Sequence, residues 1–285
     1  MDARDYSKEF LEELTEYFAV ASEHPRPDKW LPIMIQREYT VLDCRRKMPI
    51  ALINRYVPLS GARVLDVGCG AGRNSVLLSE RGAQVTGLDI DPKALKVAAS
   101  RCREHGVAVE LVKGSVVKMP FSGGSFDAVV FQNVLEHTTR SDQPQALREM
   151  MRVLRKGGVL FIQTPNKLSP FDIHSTRMPL LHWLPRRISH LVERLGVQPP
   201  NEDLVSYTSI VNALKSMGPF EVLNHCDAWE NLSDYRQNWT NYSNAFGFAA
   251  RLYFRLVPVA YIISRVFRFE LNKWLPNLNL FVRKG

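Results

Sequence analysis

The feature that most constrains the fold is an apolar run ending in a cluster of glycines, Val64-Leu65-Asp66-Val67-Gly68-Cys69-Gly70-Ala71-Gly72. A helical pattern follows from Asn74 to Arg81, so the stretch predicts a strand, a tight turn and a helix. Glycines in such a turn place no Cβ between the backbone and a ligand, and the N–H groups that open the helix face that ligand. The turn therefore predicts a nucleotide-type pocket at the carboxyl end of a parallel strand.

The spacing of the glycines separates this turn from two common nucleotide-binding loops. A dinucleotide-binding G-x-G-x-x-G that starts at Gly68 needs glycine at position 73, where the chain has Arg73. No Gly-Lys-Ser/Thr follows, so the turn is not a P-loop. The pattern Asp-x-Gly-x-Gly-x-Gly instead resembles the first motif of the class I S-adenosylmethionine (SAM) methyltransferases. An acid at this position suits a ligand that carries an ammonium and a sulfonium group.

A second acid stands at the end of the next predicted strand, Gln84 to Asp89. Asp89 follows Gly70 by 19 residues, close to the spacing of about 20 that is typical of a ribose-binding carboxylate. A carboxylate can accept both ribose hydroxyls. The alternative is a helix N-cap, because Asp91-Pro92 opens a helical pattern over 93–105.

The loop after the third predicted strand, Val107 to Val112, departs from the family pattern. Members of the resembling family usually carry an aspartate after the glycine of this loop, and it accepts the adenine amino group. This chain has Ser115 there, and a hydroxyl accepts more weakly than a carboxylate. The neighbouring Val116 and Val117 are expected to supply apolar contacts to the adenine ring.

The fourth predicted strand, Ser125 to Phe131, is almost wholly apolar, as a parallel strand covered on both faces should be. It ends in Gln132-Asn133-Val134-Leu135-Glu136-His137, which resembles the Leu-Glu-His signature of many small-molecule methyltransferases. In the strand order that this resemblance implies, the fourth strand ends beside the first. Gln132 and Asn133 are then expected near the cofactor, and Glu136 and His137 near its methyl group or the acceptor.

The remaining elements complete the pattern of a Rossmann-like domain. They are a helix from Gln143 to Arg155 closed by Lys156-Gly157-Gly158, a strand from Val159 to Thr164, a helix from Tyr207 to Met217, a strand from Phe220 to Cys226 and a strand from Leu278 to Val282. The predicted fold class is α/β, with a seven-stranded, mostly parallel sheet whose last strand is antiparallel. Helices are expected on both faces, with helical insertions.

The domain organisation follows from where this pattern starts and where it is interrupted. We expect a helical cover over residues 1–60 and a SAM-binding domain over 61–285, with insertions 166–205 and 227–277 as a substrate cap. Residues 245–269 are apolar and aromatic with interspersed arginines, and their longest uncharged run is too short to span a bilayer. A lid packed on the core and an interfacial helix pair on a membrane both remain open for this stretch.

Composition and charge narrow the class of partner. The net charge of +8 arises from short basic clusters without a nucleic-acid-binding motif, which favours a solvated surface or attraction to an anionic lipid or substrate. The charged N-terminus predicts no signal peptide. The cysteines are scattered and are expected to be thiols of a reducing compartment: Cys44, Cys69, Cys102 and Cys226. The expected location is the cytoplasm, with peripheral membrane contact left open.

The resemblance implies SAM as the cofactor and a small molecule as the methyl acceptor. A subgroup related to ubiquinone-type O-methyltransferases and to enzymes that modify sugars or lipids is resembled by the stretch Thr164-Pro165-Asn166, His174 and Leu181-His182-Trp183-Leu184-Pro185. We therefore expect O-methylation of a phenol, a lipid or a lipid-linked sugar. The alternatives are an RNA or protein methyltransferase, or a non-catalytic SAM-binding or membrane-associated protein. The residues expected to bind the cofactor are Asp66, Gly68, Cys69, Gly70, Gly72, Asp89, Ile90, Ser115, Val116, Gln132 and Asn133.

A hydroxyl acceptor benefits from a general base whose pKa is near neutral, and histidine is suited to that role. His137 is the first candidate and His174 the second. A structural role in the first turn of a helix is the open alternative for His137. The sparse acids and histidines of the motifs predict no metal site.

Overall fold

The structure is a computed structural model that describes residues 6–21, 52–169, 204–224 and 277–285, with a few single positions between these ranges. Seven strands form one sheet in the order β3-β2-β1-β4-β5-β7-β6. The strands are β1 (Arg63–Val67), β2 (Gln84–Asp89), β3 (Val109–Lys113), β4 (Phe126–Gln132), β5 (Leu154–Pro165), β6 (Phe220–Val222) and β7 (Asn277–Lys284). β1, β2 and β3 are parallel, whereas β7 is antiparallel to β6. The predicted fold class is confirmed.

Five helices accompany the sheet within the described residues: α1 (Lys8–Ala21), α2 (Arg73–Ser79), α3 (Pro92–His105), α4 (Gln143–Val153) and α5 (Tyr207–Lys215). A 3₁₀ turn spans Leu135–His137. By its internal contacts the chain divides into two compact units, one comprising Met1–Val130 with Arg152–Val159 and the other Phe131–Met151 with Leu160–Gly285.

In the first unit the carboxyl ends of three parallel strands meet at one edge of the sheet. Val67 at the end of β1 lies beside Leu88, and Asp89 at the end of β2 lies beside Lys113. α2 and α3 contact these strands. The apolar positions of β1 are completely buried, which is why the run reads as continuous rather than alternating.

Helix α3 has a clear start and stop. The Asp91 carboxylate accepts the N–H of Lys93 at 2.8 Å, and Pro92 takes the first helical position. The helix ends at Gly106, whose φ is 64°, and the Val107 N–H donates back to the carbonyl of Cys102 at 3.0 Å. Because Val107 belongs to this helix end, β3 begins at Val109, two residues later than predicted.

Helix α1 packs on α3 and on the glycine turn. Phe10 and Leu14 form a buried apolar cluster with Val97, and the partly buried Ala71 packs against it. Glu13 accepts the hydroxyl hydrogen of Ser100 and pairs with Lys96. Part of the predicted N-terminal cover therefore contacts the turn that follows β1.

β5 begins at Leu154, five residues before its predicted start, and α4 ends at Val153. The Lys-Gly-Gly sequence that indicated a helix end lies inside the strand. A Cβ on Gly158 would lie 2.9 Å from the carbonyl oxygen of Asp127, so glycine is required by the close approach of the two backbones. The Arg155 guanidinium also bonds the Asp127 carboxylate.

The second unit has its own core and its own capped helix. Phe161 of β5 stacks on Phe281 of β7 with ring centroids 4.6 Å apart. Ser206 caps α5. β6 ends at Val222, earlier than predicted, although the Leu223 N–H still donates to the carbonyl of Phe281 at 2.8 Å; Cys226 lies outside the described residues.

The predicted cap insertions, 166–205 and 227–277, lie largely outside the described residues, so the domain division stays a prediction. Seven helical residues of the second insertion are described, between positions 255 and 263, and the four large aliphatic ones among them are all exposed: Leu256, Val259, Ile262 and Ile263. Within the described part of the chain, no helix combines the length and the apolar character needed to cross a membrane.

Candidate functional site

The glycine turn after β1 is tied to the neighbouring strand by backbone hydrogen bonds. The N–H groups of Gly68 and Cys69 both donate to the carbonyl of Leu88, at 2.7 and 3.0 Å. A Cβ on Gly72 would lie 2.8 Å from the Cβ of Ala98, whereas a Cβ on Gly70 would meet nothing within 4 Å. Gly72 therefore packs the turn against α3, and Gly70 faces open space that a ligand can occupy.

Asp89 connects the glycine turn to the start of α3. Its Oδ2 accepts the N–H of Gly70 at 2.8 Å, and its Oδ1 accepts the N–H of Asp91 at 2.9 Å. The helix N-cap is Asp91 and not Asp89, so the alternative role considered for Asp89 belongs to its neighbour. A carboxylate has about four acceptor positions, so two bonds from backbone leave room for ligand hydroxyls.

The predicted adenine loop is joined to Asp89 through the backbone. The Gly114 N–H donates to the carbonyl of Asp89 at 2.9 Å. Ser115 Oγ accepts the N–H of Val117 at a long 3.4 Å, and Val116 is half-buried. The structure thus brings Gly70, Asp89 and Ser115 together in the first unit.

Ile90 adds an apolar surface to this group. Its side chain follows Asp89 directly and is 67% exposed, which is unusual for a large aliphatic residue. Each of these three features suits one part of a nucleoside ligand with an amino-acid tail. The open space at Gly70 suits the amino-acid moiety, the carboxylate of Asp89 suits the ribose, and the exposed side chain of Ile90 suits the base. The residues present fit the nucleoside cofactor that the sequence predicts.

Asp66 lies beneath the turn, and its side chain is 1% exposed. Its carboxylate accepts the hydroxyl hydrogen of Ser75, on α2, at 2.6 Å. In this position Asp66 fixes the first turn of α2 against the end of β1. The predicted role of Asp66 in cofactor binding stays a prediction.

Cys69 contributes packing and its N–H group. Burial, together with the nearby carboxylates of Asp66 and Asp89, raises the pKa of the Cys69 thiol far above its usual range, so the thiol stays protonated. Burial also raises the pKa of the Cys102 thiol. Both are free and buried, as expected; Cys44 and Cys226 lie outside the described residues.

The end of β4, in the second unit, is held by β5. Gln132 is the last residue of the strand, and the next residue, Asn133, has a φ of 55°. This left-handed conformation is tolerated by asparagine better than by most residues. The Asn133 N–H donates to the carbonyl of Gln163 at 2.8 Å, and the Gln132 side-chain amide donates to that of Gln163.

Glu136 is a buried carboxyl in the 3₁₀ turn that follows β4. It is 5% exposed and accepts the hydroxyl hydrogen of Thr164 at 3.1 Å. Burial raises the pKa of Glu136 to about 7. The sequence predicted that Glu136 lies near the methyl group or the acceptor. Nothing in the sequence indicated that its side chain is buried or that its pKa is close to neutral.

His137 keeps an exposed side chain. Partial desolvation by neighbouring protein atoms lowers the pKa of the imidazole below its usual 6.5, so the ring is largely neutral at pH 7. A neutral imidazole can accept a proton, as the predicted base must. The second candidate, His174, lies outside the described residues.

No cluster of three or more His, Cys, Asp or Glu side chains suited to a metal ion occurs among the described residues. The prediction that no metal takes part stays a prediction.

A family model described as a methyltransferase domain matches residues 65–162. The chain is 38% identical over 119 residues to the ubiquinone biosynthesis O-methyltransferase of Chromobacterium violaceum, a match covering 40% of this chain and 49% of that protein. It is 32% identical over 186 residues to the enzyme of the same name from Agrobacterium fabrum, covering 64% and 72%. The chain spans about half the length of the Chromobacterium relative and of its Xanthomonas oryzae counterpart.

Solved structures share the fold at low sequence identity. A proposed sarcosine dimethylglycine methyltransferase from Galdieria sulphuraria superposes with a TM-score of 0.56 at 17% identity, covering 87% of this chain and 88% of that one. The [4+2]-cyclase SpnF superposes with a TM-score of 0.52 at 19% identity, covering 84% and 80%. These likenesses concern the fold.

We predict that Glu136 makes the stability of the protein depend on pH. Its pKa is raised from 4.5 to about 7 on folding, so the folded chain binds more protons than the unfolded chain between these values and loses stability as pH rises through them. The loss amounts to about 3 kcal/mol by the usual free energy per pKa unit. In Glu136→Gln this loss should disappear. Urea unfolding at pH 5 and at pH 8 should therefore show that the free energy of unfolding falls less between the two pH values in the variant than in the parent.

The control for this measurement is Glu9→Gln, on an exposed position of α1. Its unfolding curve should shift with pH as the parent's does. A Glu136→Gln variant with the same pH dependence as the parent would contradict the buried, proton-binding state of Glu136.

Proposed function

Since the chain belongs to the class I SAM-dependent methyltransferases, we propose that it holds SAM at the glycine turn and transfers its methyl group to a hydroxyl of a small molecule. One observation carries the cofactor part of this proposal. The Asp89 carboxylate accepts the N–H of Gly70 at 2.8 Å. The carboxylate that is predicted to bind the ribose is therefore hydrogen-bonded directly to the open side of the turn.

The proposed binding roles follow the contacts of each residue. Gly70 leaves the backbone of the turn accessible to the methionine part, Gly68 and Gly72 give the turn its shape through their positive φ angles, and Asp66 supports α2 through Ser75. Asp89 accepts from the ribose hydroxyls. The adenine lies against Ile90, Val116 and Ser115, where apolar contact replaces much of the usual carboxylate interaction. Gln132 and Asn133, at the end of β4, complete the set.

SAM supplies a methyl group that its sulfonium has already activated, so the residues of the chain must mainly orient the acceptor, exclude water and take up a proton. As the oxygen–carbon bond forms and the carbon–sulfur bond breaks, the hydroxyl proton passes to a base. His137, with its lowered pKa, is the proposed acceptor of this proton. Glu136, with a pKa of about 7, is a second group that can take it up.

The proposed acceptor is a phenol, a lipid or a lipid-linked sugar. The names of the relatives, which are O-methyltransferases of ubiquinone biosynthesis, support an oxygen acceptor. Incubation with labelled SAM and a phenol panel, a lipid extract or bulk RNA separates this proposal from the other candidates. Label in RNA or protein, or SAM binding without transfer to any acceptor, would contradict it.

We also propose peripheral contact with an anionic membrane as part of the function. Leu256, Val259 and Ile262 are helical, exposed and spaced by three residues, and Ile263 extends the same apolar surface. Arg255 beside them is also exposed. Exposed apolar side chains next to a cation are typical of an interfacial helix, whereas a helix covering the core would bury them.

The first prediction of the proposal concerns Asp89. In Asp89→Asn one carboxylate oxygen becomes an amide nitrogen, so the side chain can no longer serve both the backbone N–H groups and the ribose. We expect S-adenosylhomocysteine (SAH) to bind about ten- to a hundredfold more weakly by calorimetry, as for the loss of a hydrogen bond to a charged group.

Asp91→Asn is the matched control for this substitution. It lies two residues away, and asparagine caps a helix as well as aspartate does, so SAH affinity should change less than about threefold, within the few tenths of a kcal/mol usual for such surface changes. Equal affinities in the two variants would overturn the ribose role of Asp89.

The second prediction concerns His137. His137→Gln should lower kcat by about a hundredfold or more, the usual contribution of a general base, and leave SAH affinity within about twofold because the side chain serves the acceptor. The parent's kcat should rise with pH through a pKa below 6.5, and the variant should lose this limb. If kcat and SAH affinity fall together, His137 has a structural role and the assignment is wrong.

The third prediction concerns the exposed apolar residues. Val259→Glu combined with Ile262→Glu should reduce sedimentation with anionic liposomes at low salt at least severalfold, because two carboxylates replace apolar contact and repel the lipid. The charge-matched control is Gln84→Glu with Ala108→Glu, both on exposed positions of the first unit. If the parent protein does not sediment with anionic liposomes at low salt, the proposed membrane contact is refuted.

A further inference from the structure

The turn that follows β3, in the first unit, is closed by hydrogen bonds of its own. The Lys118 N–H donates to the carbonyl of Ser115 at 3.2 Å, and the two residues form an isolated bridge. The Ser115 hydroxyl oxygen accepts the N–H of Val117 at 3.4 Å. Serine often makes this bond to the backbone two residues further on. The hydroxyl oxygen is therefore tied to the turn, whereas the hydroxyl hydrogen bonds to no acceptor among the described residues.

This turn is held against the end of β2. The Gly114 N–H donates to the carbonyl of Asp89 at 2.9 Å. A Cβ on Gly114 would lie 2.8 Å from a methyl carbon of Leu88, so glycine permits the close approach. Ser115 follows directly after this contact, and Ile90, whose side chain is 67% exposed, follows directly after Asp89.

The carboxylates of Asp89 and Asp91 bond to other parts of the first unit. Asp89 accepts N–H groups from the glycine turn and from Asp91, and Asp91 accepts the N–H of Lys93 at 2.8 Å. The charged side chains within positions 113–118 are two lysines, Lys113 and Lys118, and both are exposed. The group that this turn offers to a base is therefore a hydroxyl flanked by cations.

A hydroxyl and a carboxylate differ in what they can recognise on a purine. A hydroxyl both donates and accepts, whereas an ionised carboxylate only accepts. Adenine has an amino group at position 6, which donates, and hypoxanthine has an oxygen there, which accepts. The Ser115 hydroxyl can accept from the first and donate to the second. The neighbouring lysines attract an oxygen and not an amino group.

We propose that Ser115 is a specificity-determining residue that makes the cofactor site accept a 6-oxopurine nucleoside as readily as adenosine. This inference rests on the proposed function, in which the base lies against Ile90, Val116 and Ser115. Contact with the aliphatic side chains of Ile90 and Val116 does not distinguish an amino group from an oxygen. Ser115 is then the side chain of the three that can distinguish them, and its hydroxyl satisfies both.

Two ligands that differ only at position 6 test this inference. SAH has the amino group, and its deaminated analogue S-inosylhomocysteine has the oxygen, with the same ribose and amino-acid tail. We expect the parent protein to bind the two with calorimetric Kd values within about threefold of each other, because neutral hydrogen bonds of either direction contribute similarly. A larger preference for SAH would overturn the inference.

Ser115→Asp and Ser115→Asn form a matched pair of nearly equal shape. Either side chain can accept the Val117 N–H and keep the turn, after which aspartate has only an acceptor left and asparagine only a donor. Ser115→Asp should prefer SAH by about tenfold, as for a hydrogen bond to a charged group. Ser115→Asn should prefer S-inosylhomocysteine by about threefold or more, as for a neutral bond. The same preference in both variants would overturn the role of Ser115.

Ser122→Asp is the control for the added charge, because Ser122 is exposed and lies outside this turn. Its ratio of the two Kd values should equal that of the parent. The ratio is the readout, so a variant that loses affinity for both ligands equally through misfolding does not imitate the expected result. If the parent binds neither ligand, the proposed function itself is wrong; if it binds SAH and rejects S-inosylhomocysteine, only this inference is wrong.

Discussion

The carboxylate of Asp89 organises the part of the chain that we propose holds the cofactor. It accepts N–H groups from Gly70 and Asp91, and so joins the turn after β1 to the start of α3. Tight turns leave backbone N–H groups without helical or strand partners, and a buried one without a partner costs free energy. Asp89 meets that need and keeps acceptor capacity for a ligand, which links the stability of the turn to its proposed function.

The packing around the turn after β1 also holds that turn in place. Gly72 lets the turn approach Ala98 of α3 with no space for a side chain, and the buried pair of Asp66 and Ser75 fixes the start of α2. Helix α1 adds an apolar cluster that reaches Ala71. The second unit has a buried carboxyl of its own, Glu136, whose pKa burial raises to about 7.

The sequence predicts well what is local. The strand–turn–helix order, the glycine spacing and the distance from Gly70 to Asp89 predicted the fold class, and the structure confirms it. The predicted ends of elements were wrong where a glycine can serve either of two purposes. Gly158 indicated a helix end, but it lies inside β5 and permits the close approach of that strand to Asp127. The face of the sheet to which the Asp66 side chain points was not predictable, because a strand buried on both faces shows no alternation of apolar and polar residues. Gln163 and Asn279 are 116 residues apart, and only the strand order makes them neighbours.

We propose that the open side of the turn at Gly70 receives the methionine and ribose parts of SAM, with the Asp89 carboxylate bonded to the ribose. A crystal structure of the protein grown with SAH measures this most directly. We expect density for SAH over Gly70, with both ribose hydroxyls within hydrogen-bonding distance of the Asp89 carboxylate and the adenine against Ile90. Crystals that contain SAH elsewhere, or that show Asp89 bonded only to Gly70 and Asp91 at saturating ligand, would contradict it.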